Sequence, residues 1–202
     1  MSAVKSRREQ YSEATRSALL ATATALFAER GYAKTSLEDI AAATQVTRGA
    51  VYHHFASKQA LFEAVLAEQE TTVVRRSEEA AAAAPDPVGA AVASLHSFLL
   101  SCLDPVYGQI VMREGPVALG FARWQECEQA FALGHIEERV RALIEAGELL
   151  PVSGPLTARL VFALLGAAGM AINDAPDPDR VEVMERAEQV IAAMLLGLRR
   201  PT

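Results

Sequence analysis

The sequence lacks the features by which secreted and membrane proteins are usually identified. Its 202 residues include only two cysteines, Cys102 and Cys127, without the paired spacing of a disulfide framework or a zinc site. The longest uninterrupted apolar run, Leu160 to Ile172, is thirteen residues long, which is too short for a membrane-spanning helix. The first residues, MSAVKSRREQYSEATR, are too polar for the apolar region of a signal peptide. These absences favour a protein of the reducing cytoplasm.

Motifs of catalysis are missing as well. The sequence contains no HExxH pair and no glycine-rich phosphate loop. Cys127 and His135 lie about 12 Å apart along one predicted helix, so they cannot act by themselves as nucleophile and base. Glu137 and Glu138, next to His135, would bind a metal only with ligands from other helices. We therefore expect no enzymatic activity, no cofactor and no metal.

Strand patterns are absent too, because no stretch alternates apolar and polar residues with a period of two. Leucine, alanine and aromatic residues instead recur every three or four positions, and 51% of the residues are hydrophobic, which is enough for a buried core. The sequence therefore predicts an all-α protein. The predicted helices cover approximately residues 12–30, 37–44, 48–55, 57–80, 88–103, 106–113, 117–146, 156–173 and 179–199.

Capping residues divide the first part of the chain into short helices. Ser36 fits the N-cap of the second helix, with Asp39 able to complete a capping box, and Thr47 and Ser57 fit the N-caps of the next two. The third helix, RGAVYHHF, is too short to be stable alone, so its apolar residues must pack inward. Its other face is then left free.

Charge is distributed unevenly along the chain. The net charge is −6, but residues 1–58 carry eight basic and five acidic residues, whereas residues 59–202 carry eleven and twenty. A basic N-terminal part on an acidic body is compatible with nucleic-acid binding, and chance scatter is the alternative.

The free face of the third helix has the chemistry of a DNA-reading helix. A helix, a tight turn and a second short helix are the geometry that places the second helix in the major groove. Arg48 can donate two hydrogen bonds to guanine, Tyr52 and His53 can reach phosphates, and a solvated surface is the alternative for each. The predicted DNA contacts are Thr35, Ser36, Thr47, Arg48, Gly49, Ala50, Tyr52, His53 and Lys58. His54 either joins them or faces the first helix, and Lys5, Arg7 and Arg8 form either an arm that reaches DNA or a solvated tail.

The segment TSLEDIAAATQVTRGAVYHHFASKQALFEAV, from Thr35 to Val65, resembles the DNA-binding region of the TetR (tetracycline repressor) family, and the resemblance extends back to about Ser12. It implies an all-helical homodimer with one recognition helix per subunit and a divergent C-terminal ligand domain whose last two helices dimerise. Many members of that family have glycine in the turn where this chain has Gln45. A left-handed glutamine there would cost on the order of 1 kcal/mol.

A low-complexity stretch with two prolines, AAAAAPDPVG from Ala80 to Gly89, separates the two halves. We assign residues 1–65 to a three-helix helix-turn-helix DNA-binding domain, whose next helix continues to about residue 80 as a connector. Residues 66–202 are assigned to a helical domain for ligand binding and dimerisation.

Two C-terminal helices are apolar enough to form an intersubunit four-helix bundle, and burial within one subunit is the alternative. The predicted dimer interface consists of Leu160, Ala163, Leu164, Ala167, Ala171, Val190, Met194 and Leu198. A ligand pocket is expected inside the helices between Val88 and Ala146. Its predicted lining is His96, Leu99, Phe121, Trp124, Phe131, His135 and Met170, each of which could instead be ordinary core.

Together these features predict a repressor that binds a palindromic operator as a homodimer and is released by a small apolar or amphipathic ligand. Two alternatives stay open at this point. The protein could be a DNA-binding regulator without an effector, or it could activate transcription. An enclosed cavity would argue against the first alternative.

Overall fold

The computed structural model describes residues 6–198, which form α-helices and short helical turns without a β-strand. This confirms the all-α prediction. The helices are α1 (Arg7–Arg30), α2 (Leu37–Thr44), α3 (Arg48–His54), α4 (Lys58–Ala82), α5 (Pro87–Ser101), α6 (Pro105–Tyr107), α7 (Gly115–Leu119), α8 (Phe121–Glu145), α9 (Gly154–Asp174) and α10 (Arg180–Leu196). A π-helical segment, Gly108–Glu114, joins α6 to α7, and a 3₁₀ turn, Asp177–Asp179, precedes α10.

The first four helices begin at side-chain caps. The hydroxyl of Ser36 accepts the Asp39 N–H while the Asp39 carboxylate accepts the Ser36 N–H, which forms the predicted capping box. Thr47 and Ser57 cap α3 and α4 as predicted. Helix α1 begins earlier than predicted, because Ser6 forms a further capping box with the residue three positions on.

Aromatic rings fill the interior of α1 to α4. Phe27 and Phe62 are fully buried, and their ring centroids lie 5.2 Å apart in an edge-to-face arrangement. Tyr32 packs on both rings. Val51 on the inner face of α3 and Phe55 directly after the helix are buried in the same core. The opposite face of α3 is therefore exposed.

Gln45 ends α2 in the left-handed region, with φ 59° and ψ 37°. Its N–H bonds to the carbonyls of Ala41 and Ala42, which satisfies two groups at the helix end. Gln45 therefore adopts the left-handed conformation that is expected to cost glutamine on the order of 1 kcal/mol.

Helix α4 connects the first three helices to the rest of the molecule. It continues to Ala82 and is followed by a short turn at the predicted proline-containing stretch, where Asp86 caps α5 and Pro87 occupies the first turn. Helix α5 then packs back against α4. The two helices form one wall of the C-terminal body.

The next region differs from the prediction, which separated a short helix at 106–113 from a long helix at 117–146. The chain stays helical from Pro105 to Leu119 through the π-helical segment, and it breaks at Gly120, where φ is 75°. Pro116 lacks an N–H but does not end the helix, because it lies just after the wider π-helical turn. Glycine supplies the positive φ that the actual break requires.

Helices α8, α9 and α10 complete the body. Helix α9 is 21 residues long with a mean hydropathy of 1.7, so by length and composition it could cross a membrane, yet only 22% of that apolar window is buried. The thirteen-residue run is thus the centre of a longer apolar helix. Its length alone does not distinguish a membrane span from a helix at an interface.

Candidate DNA-contacting surface and ligand cavity

The exposed face of α3 carries three of the predicted DNA contacts. Arg48, Tyr52 and His53 all project into solvent. The Arg48 guanidinium lies over the Tyr52 ring, donates a 3.3 Å hydrogen bond to its hydroxyl and forms a 3.0 Å ion pair with Glu38 of α2. These contacts hold the Arg48 side chain against Tyr52 of α3 and Glu38 of α2. Glu38 was not singled out by the sequence, although its place in the first turn of α2 is the signal.

The small and capping residues of this surface lie around Arg48. Gly49 is exposed, and a Cβ added there would meet only Thr47 Oγ1 at 3.8 Å, so the backbone is open to an approaching partner. Ala50 is half-buried, and its N–H donates to the Thr47 hydroxyl, which caps α3. Ser36 is half-buried at the start of α2 and borders an open polar depression that also includes Arg48 and Tyr52.

Thr35 requires a correction, because its side chain is not on the surface. It is 1% exposed, and its hydroxyl donates to the carbonyls of Leu26 and Gly31. Thr35 therefore secures the end of α1, and its side chain cannot contact DNA in this conformation. The predicted contact between the Thr35 side chain and DNA is wrong for this reason.

Lys58 has a structural role that the sequence did not predict. Its ammonium group donates a 2.9 Å hydrogen bond to the Tyr32 carbonyl and lies 4.1 Å from the centre of the Tyr32 ring. The charge remains at the edge of the polar depression. A phosphate contact would have to share Lys58 with Tyr32.

The sequence left two alternatives open for His54 and for the basic residues at the N-terminus. His54 is half-buried toward α1, and its pKa is lowered by burial and, secondarily, by His53 and Arg16. Arg7 and Arg8 lie in the first turn of α1 and are exposed, so neither belongs to an extended tail. Lys5 lies outside the described residues.

A cavity of about 360 Å³, partly open to solvent, lies between α4, α5, α8, α9 and α10, so its walls extend beyond the helices of residues 88–146 in which it was expected. Four of the predicted lining residues border it: Phe121, Trp124, His135 and Met170. The other three do not. His96 is half-exposed and pairs with Glu188 of α10 at 3.0 Å, Leu99 is fully buried in the core, and Phe131 is half-buried elsewhere on α8. Helical spacing alone did not separate cavity from core.

Two buried carboxyl groups border the same cavity and were not predicted. Glu70 of α4 accepts a 2.8 Å hydrogen bond from the Tyr107 hydroxyl, and burial raises the pKa of Glu70 to about 7. Burial also raises the pKa of Glu128 on α8, and the charge of Glu70 raises it further. Trp124 Nε1 and Glu128 Oε1 have no hydrogen-bond partner in residues 6–198. Glu70 lies on the apolar stripe of α4, and that position was the available signal.

The cavity wall also contacts the turn between α1 and α2. Trp124 packs on Gly115, where an added Cβ would lie 2.6 Å from the indole. The neighbouring Glu114 accepts the Tyr32 N–H at 2.8 Å and lies so close to Gly31 that a Cβ there would be 2.8 Å from its oxygen. Gly31 has a φ of 82°, a backbone conformation that favours glycine, and a side chain there would also displace the Glu114 carboxylate. The π-helical segment thus links the cavity to the first helices.

The predicted interface residues lie on two apolar helices with partly exposed faces. On α9, Leu160 is 58% exposed, and Ala163, Ala167 and Ala171 are exposed along the same stripe. On α10, Val190 and Met194 are more than half exposed. The two remaining members are half-buried: Leu164 packs on the core, and Leu198 accepts a backbone hydrogen bond from Leu150. Ala163 and Ala167 also border the cavity.

Two family models match the chain. Residues 19–65 match the model described as bacterial regulatory proteins, tetR family, and residues 88–198 match the tetracyclin repressor-like C-terminal domain. The second match alone covers more than half of the sequence.

The curated relatives are similar to a short part of the chain. A probable acrEF/envCD operon repressor of Escherichia coli K12 is 51% identical over 55 residues, which are 27% of this chain and 25% of that protein. An HTH-type transcriptional repressor of Mycobacterium tuberculosis is 52% identical over 54 residues, which are 27% of this chain and 29% of that protein. The matching region thus spans little more than a quarter of these relatives.

Solved structures are similar over the whole chain. A TetR-family transcriptional regulator from Pectobacterium atrosepticum has a TM-score of 0.82 and 29% identity, and the match covers 98% of this chain and 100% of that one. RolR, solved with resorcinol, has a TM-score of 0.71 and 20% identity over 95% of this chain and 90% of its own, a likeness that concerns the fold alone.

Proposed function

Because this chain belongs to the TetR family of bacterial transcriptional regulators, we propose that it is a repressor that binds a palindromic operator as a homodimer and is released by a small ligand. The observation that carries the proposal is the exposed face of α3. Arg48, Tyr52 and His53 project from a short helix whose other face is fixed by buried Val51 and Phe55. Arg48 reads guanine in the major groove, and the two rings contact phosphates.

The proposed division of labour follows the sequence boundaries. Residues 1–65 form the DNA-binding domain, α4 continues as the connector, and residues 66–202 form the regulatory and dimerisation domain. One short helix in one groove binds weakly, so reading a palindrome requires two copies. The exposed apolar stripes of α9 and α10 support a four-helix interface between the copies. A cytoplasmic location, where operator DNA is accessible, fits this role, and catalysis is not part of it.

Ligand release rests on the cavity and on its contact with the α1–α2 turn. The cavity is partly open and not fully enclosed, and its mainly apolar wall with a few polar groups supports an effector-responsive regulator over one without an effector. A ligand shifts the protein only if it binds one conformation more tightly than the other. Occupancy of the cavity moves Trp124 or its neighbours against Gly115, and Glu114 transmits the change to Tyr32. The recognition helices of the dimer then no longer match the spacing of the operator.

Selection of genomic DNA fragments by the purified protein tests the DNA-binding proposal. An enriched palindrome is expected, and Arg48→Ala should weaken binding to it by about 1–3 kcal/mol in fluorescence anisotropy. Arg75→Ala, an exposed arginine on α4 that pairs with Glu79, is the matched control and should leave the affinity unchanged. Absence of an enriched site, or equal affinity of the Arg48 variant at low and moderate salt, contradicts the proposal. Transcription from the enriched site separates repression from activation.

A further inference from the structure

Three positions along the seam between α4 and α8 bring acidic side chains of α4 next to ionisable side chains of α8. At the first, the Arg123 guanidinium pairs with Glu63 at 3.1 Å. At the third, Glu78 pairs with Arg139 and lies 3.4 Å from His135. The acidic residue of α4 is neutralised at both positions.

The middle position has two acids and no cation. Here Glu70 of α4 and Glu128 of α8 are 3% and 9% exposed, and both border the cavity. Neither forms an ion pair within residues 6–198. The Tyr107 hydroxyl satisfies one oxygen of Glu70, whereas Glu128 Oε1 has no hydrogen-bond partner among the residues that the structure describes. A buried carboxylate without a partner is costly, and the cost is relieved either by protonation, in keeping with the raised pKa of both acids, or by a positively charged or hydrogen-bond-donating group that enters the cavity.

The surroundings of the two acids specify the rest of that group. The cavity wall is mainly aliphatic and aromatic, with Phe98, Phe121 and Trp124 among its residues. The Trp124 indole lies one helical turn before Glu128, and an aromatic ring face attracts a desolvated cation. Arg139 also borders the cavity, but its guanidinium pairs with Glu78 two turns further along α4, and its Nε has no partner in residues 6–198.

We propose that the cavity binds an apolar organic cation whose ammonium group lies between Glu70 and Glu128. The ammonium donates to Glu128 Oε1, and the apolar part of the molecule contacts the aromatic wall. This inference rests on the proposed function, because it names the ligand class of the cavity that the repressor would use. It extends the expected apolar or amphipathic ligand by assigning it a positive charge.

Three compounds with the same apolar body and different charges test the inference: 4-phenylbutylamine, 4-phenylbutanol and 4-phenylbutanoate. Their binding to the full chain is measured by calorimetry at neutral pH and by the fluorescence of Trp124, the only tryptophan in the sequence. The amine should bind at least tenfold more tightly than the alcohol, and the carboxylate should bind most weakly. An alcohol that binds as tightly as the amine, or an amine that fails to bind up to its solubility limit, overturns the inference.

Variants test whether Glu70 and Glu128 cause the preference for a positively charged ligand. In Glu128→Gln, and more strongly in Glu70→Gln combined with Glu128→Gln, the preference for the amine over the alcohol should fall at least tenfold while the alcohol affinity stays similar. Glu126→Gln is the control, because Glu126 is exposed on α8 and pairs only with Arg123. Circular dichroism identifies a variant that fails to fold, and the charge order in the unmodified protein then decides the question. A preference that survives in the folded double variant overturns the inference.

Adding the amine to the protein bound to its operator separates this inference from the proposed function. If the amine binds the cavity but the operator affinity does not change, the ligand class is correct and ligand release is wrong. If another compound releases the operator while the amine does not bind, release is correct and the cationic ligand is wrong.

Discussion

The helix-turn-helix region and the C-terminal body are built from the same kind of helices but have different interiors. In α1 to α3 and the start of α4, Phe27, Phe62 and Tyr32 fill the space between the helices. In the body, a cavity remains, and all three buried side-chain atoms without a partner in residues 6–198 belong to α8. A filled interior fixes the position of α3, whereas a hollow one leaves groups that a ligand can satisfy. Under the proposed function, the filled region is the part that binds DNA and the hollow region is the part that binds the ligand.

The largest expected effect tests the filled interior directly. Phe62→Ala should lower the free energy of unfolding by about 3–5 kcal/mol, because the ring is fully buried among other rings. Phe162→Ala, in the cavity wall, should cost less than half as much, since the space around it is already partly empty. Urea unfolding of both variants measures the contrast. Equal costs would show that the two interiors do not differ in packing.

The next effect concerns the contact between the two regions. Glu114→Ala removes a carboxylate that accepts the Tyr32 N–H and the Gln109 amide, so unfolding should become easier by about 1.5–3 kcal/mol. The response of operator affinity to a cavity ligand should also weaken. Glu126→Ala, which removes an exposed carboxylate, is the control for both measurements. An unchanged ligand response would exclude Glu114 from the connection.

The buried acids predict a loss of stability as the pH rises, which is opposite in sign to the contribution of His54, whose lowered pKa favours the neutral form in the helix-turn-helix region. The folded-state pKa of Glu70 is about 7, above the value of 4.5 for an exposed glutamate, so folding favours its protonated form. Its stabilising contribution is complete below pH 4.5 and is lost as the pH rises through 7. Relative to Glu70→Gln, the unmodified protein should lose up to about 1.4 kcal/mol per pH unit in this interval.

Thermal unfolding between pH 4.5 and 8 measures this difference. Glu128, Tyr107 and Cys102 face Glu70, and burial raises the pKa of each, so Glu128 contributes with the same sign while Tyr107 and Cys102 stay protonated. Glu126→Gln should keep the pH profile of the unmodified protein. Parallel profiles of the unmodified protein and Glu70→Gln would show that Glu70 does not have a raised pKa.

The smallest effect concerns the one strained residue in the filled region. Gln45→Gly should stabilise the protein by about 1 kcal/mol, because glycine adopts the left-handed conformation without a steric cost. Ala42→Gly, on the exposed face of α2 in a right-handed conformation, should have the opposite effect, of about 0.5–1 kcal/mol. Chemical denaturation compares the two. Destabilisation by both changes would mean that backbone conformation does not determine the outcome at position 45.

The fold could be predicted wherever local chemistry determined it. The caps at Ser36, Thr47 and Ser57 and the inward residues of α3 depend on neighbours within one turn, and they are as expected. The earlier start of α1 could also have been predicted from the sequence, since Ser6 is followed three residues later by Glu9, the pattern of a capping box. The break at Gly120 was missed because a π turn, which spacing does not reveal, made room for a proline inside the helix.

The residues of the candidate sites could likewise be predicted only where the local sequence determines their position. Exposure of Arg48, Tyr52 and His53 follows from helical periodicity, whereas burial of Thr35 and the bond from Lys58 to Tyr32 depend on how α1 and α4 meet. Pairs that form between distant helices could not be derived from spacing within one helix. The seam of α4 and α8 is of this kind, because its chemistry appears only when the two helices lie side by side.

The contact between Glu114 and the α1–α2 turn has a practical consequence for building chimeric regulators. A graft of residues 1–65 onto the body of another protein would follow the chain boundary but would leave behind the acceptor of the Tyr32 N–H. The recipient would have to supply a carboxylate at the position of Glu114 and keep the space opposite Gly31 free of other atoms. The transplantable unit is therefore the helix-turn-helix together with a residue nearly fifty positions further along the chain.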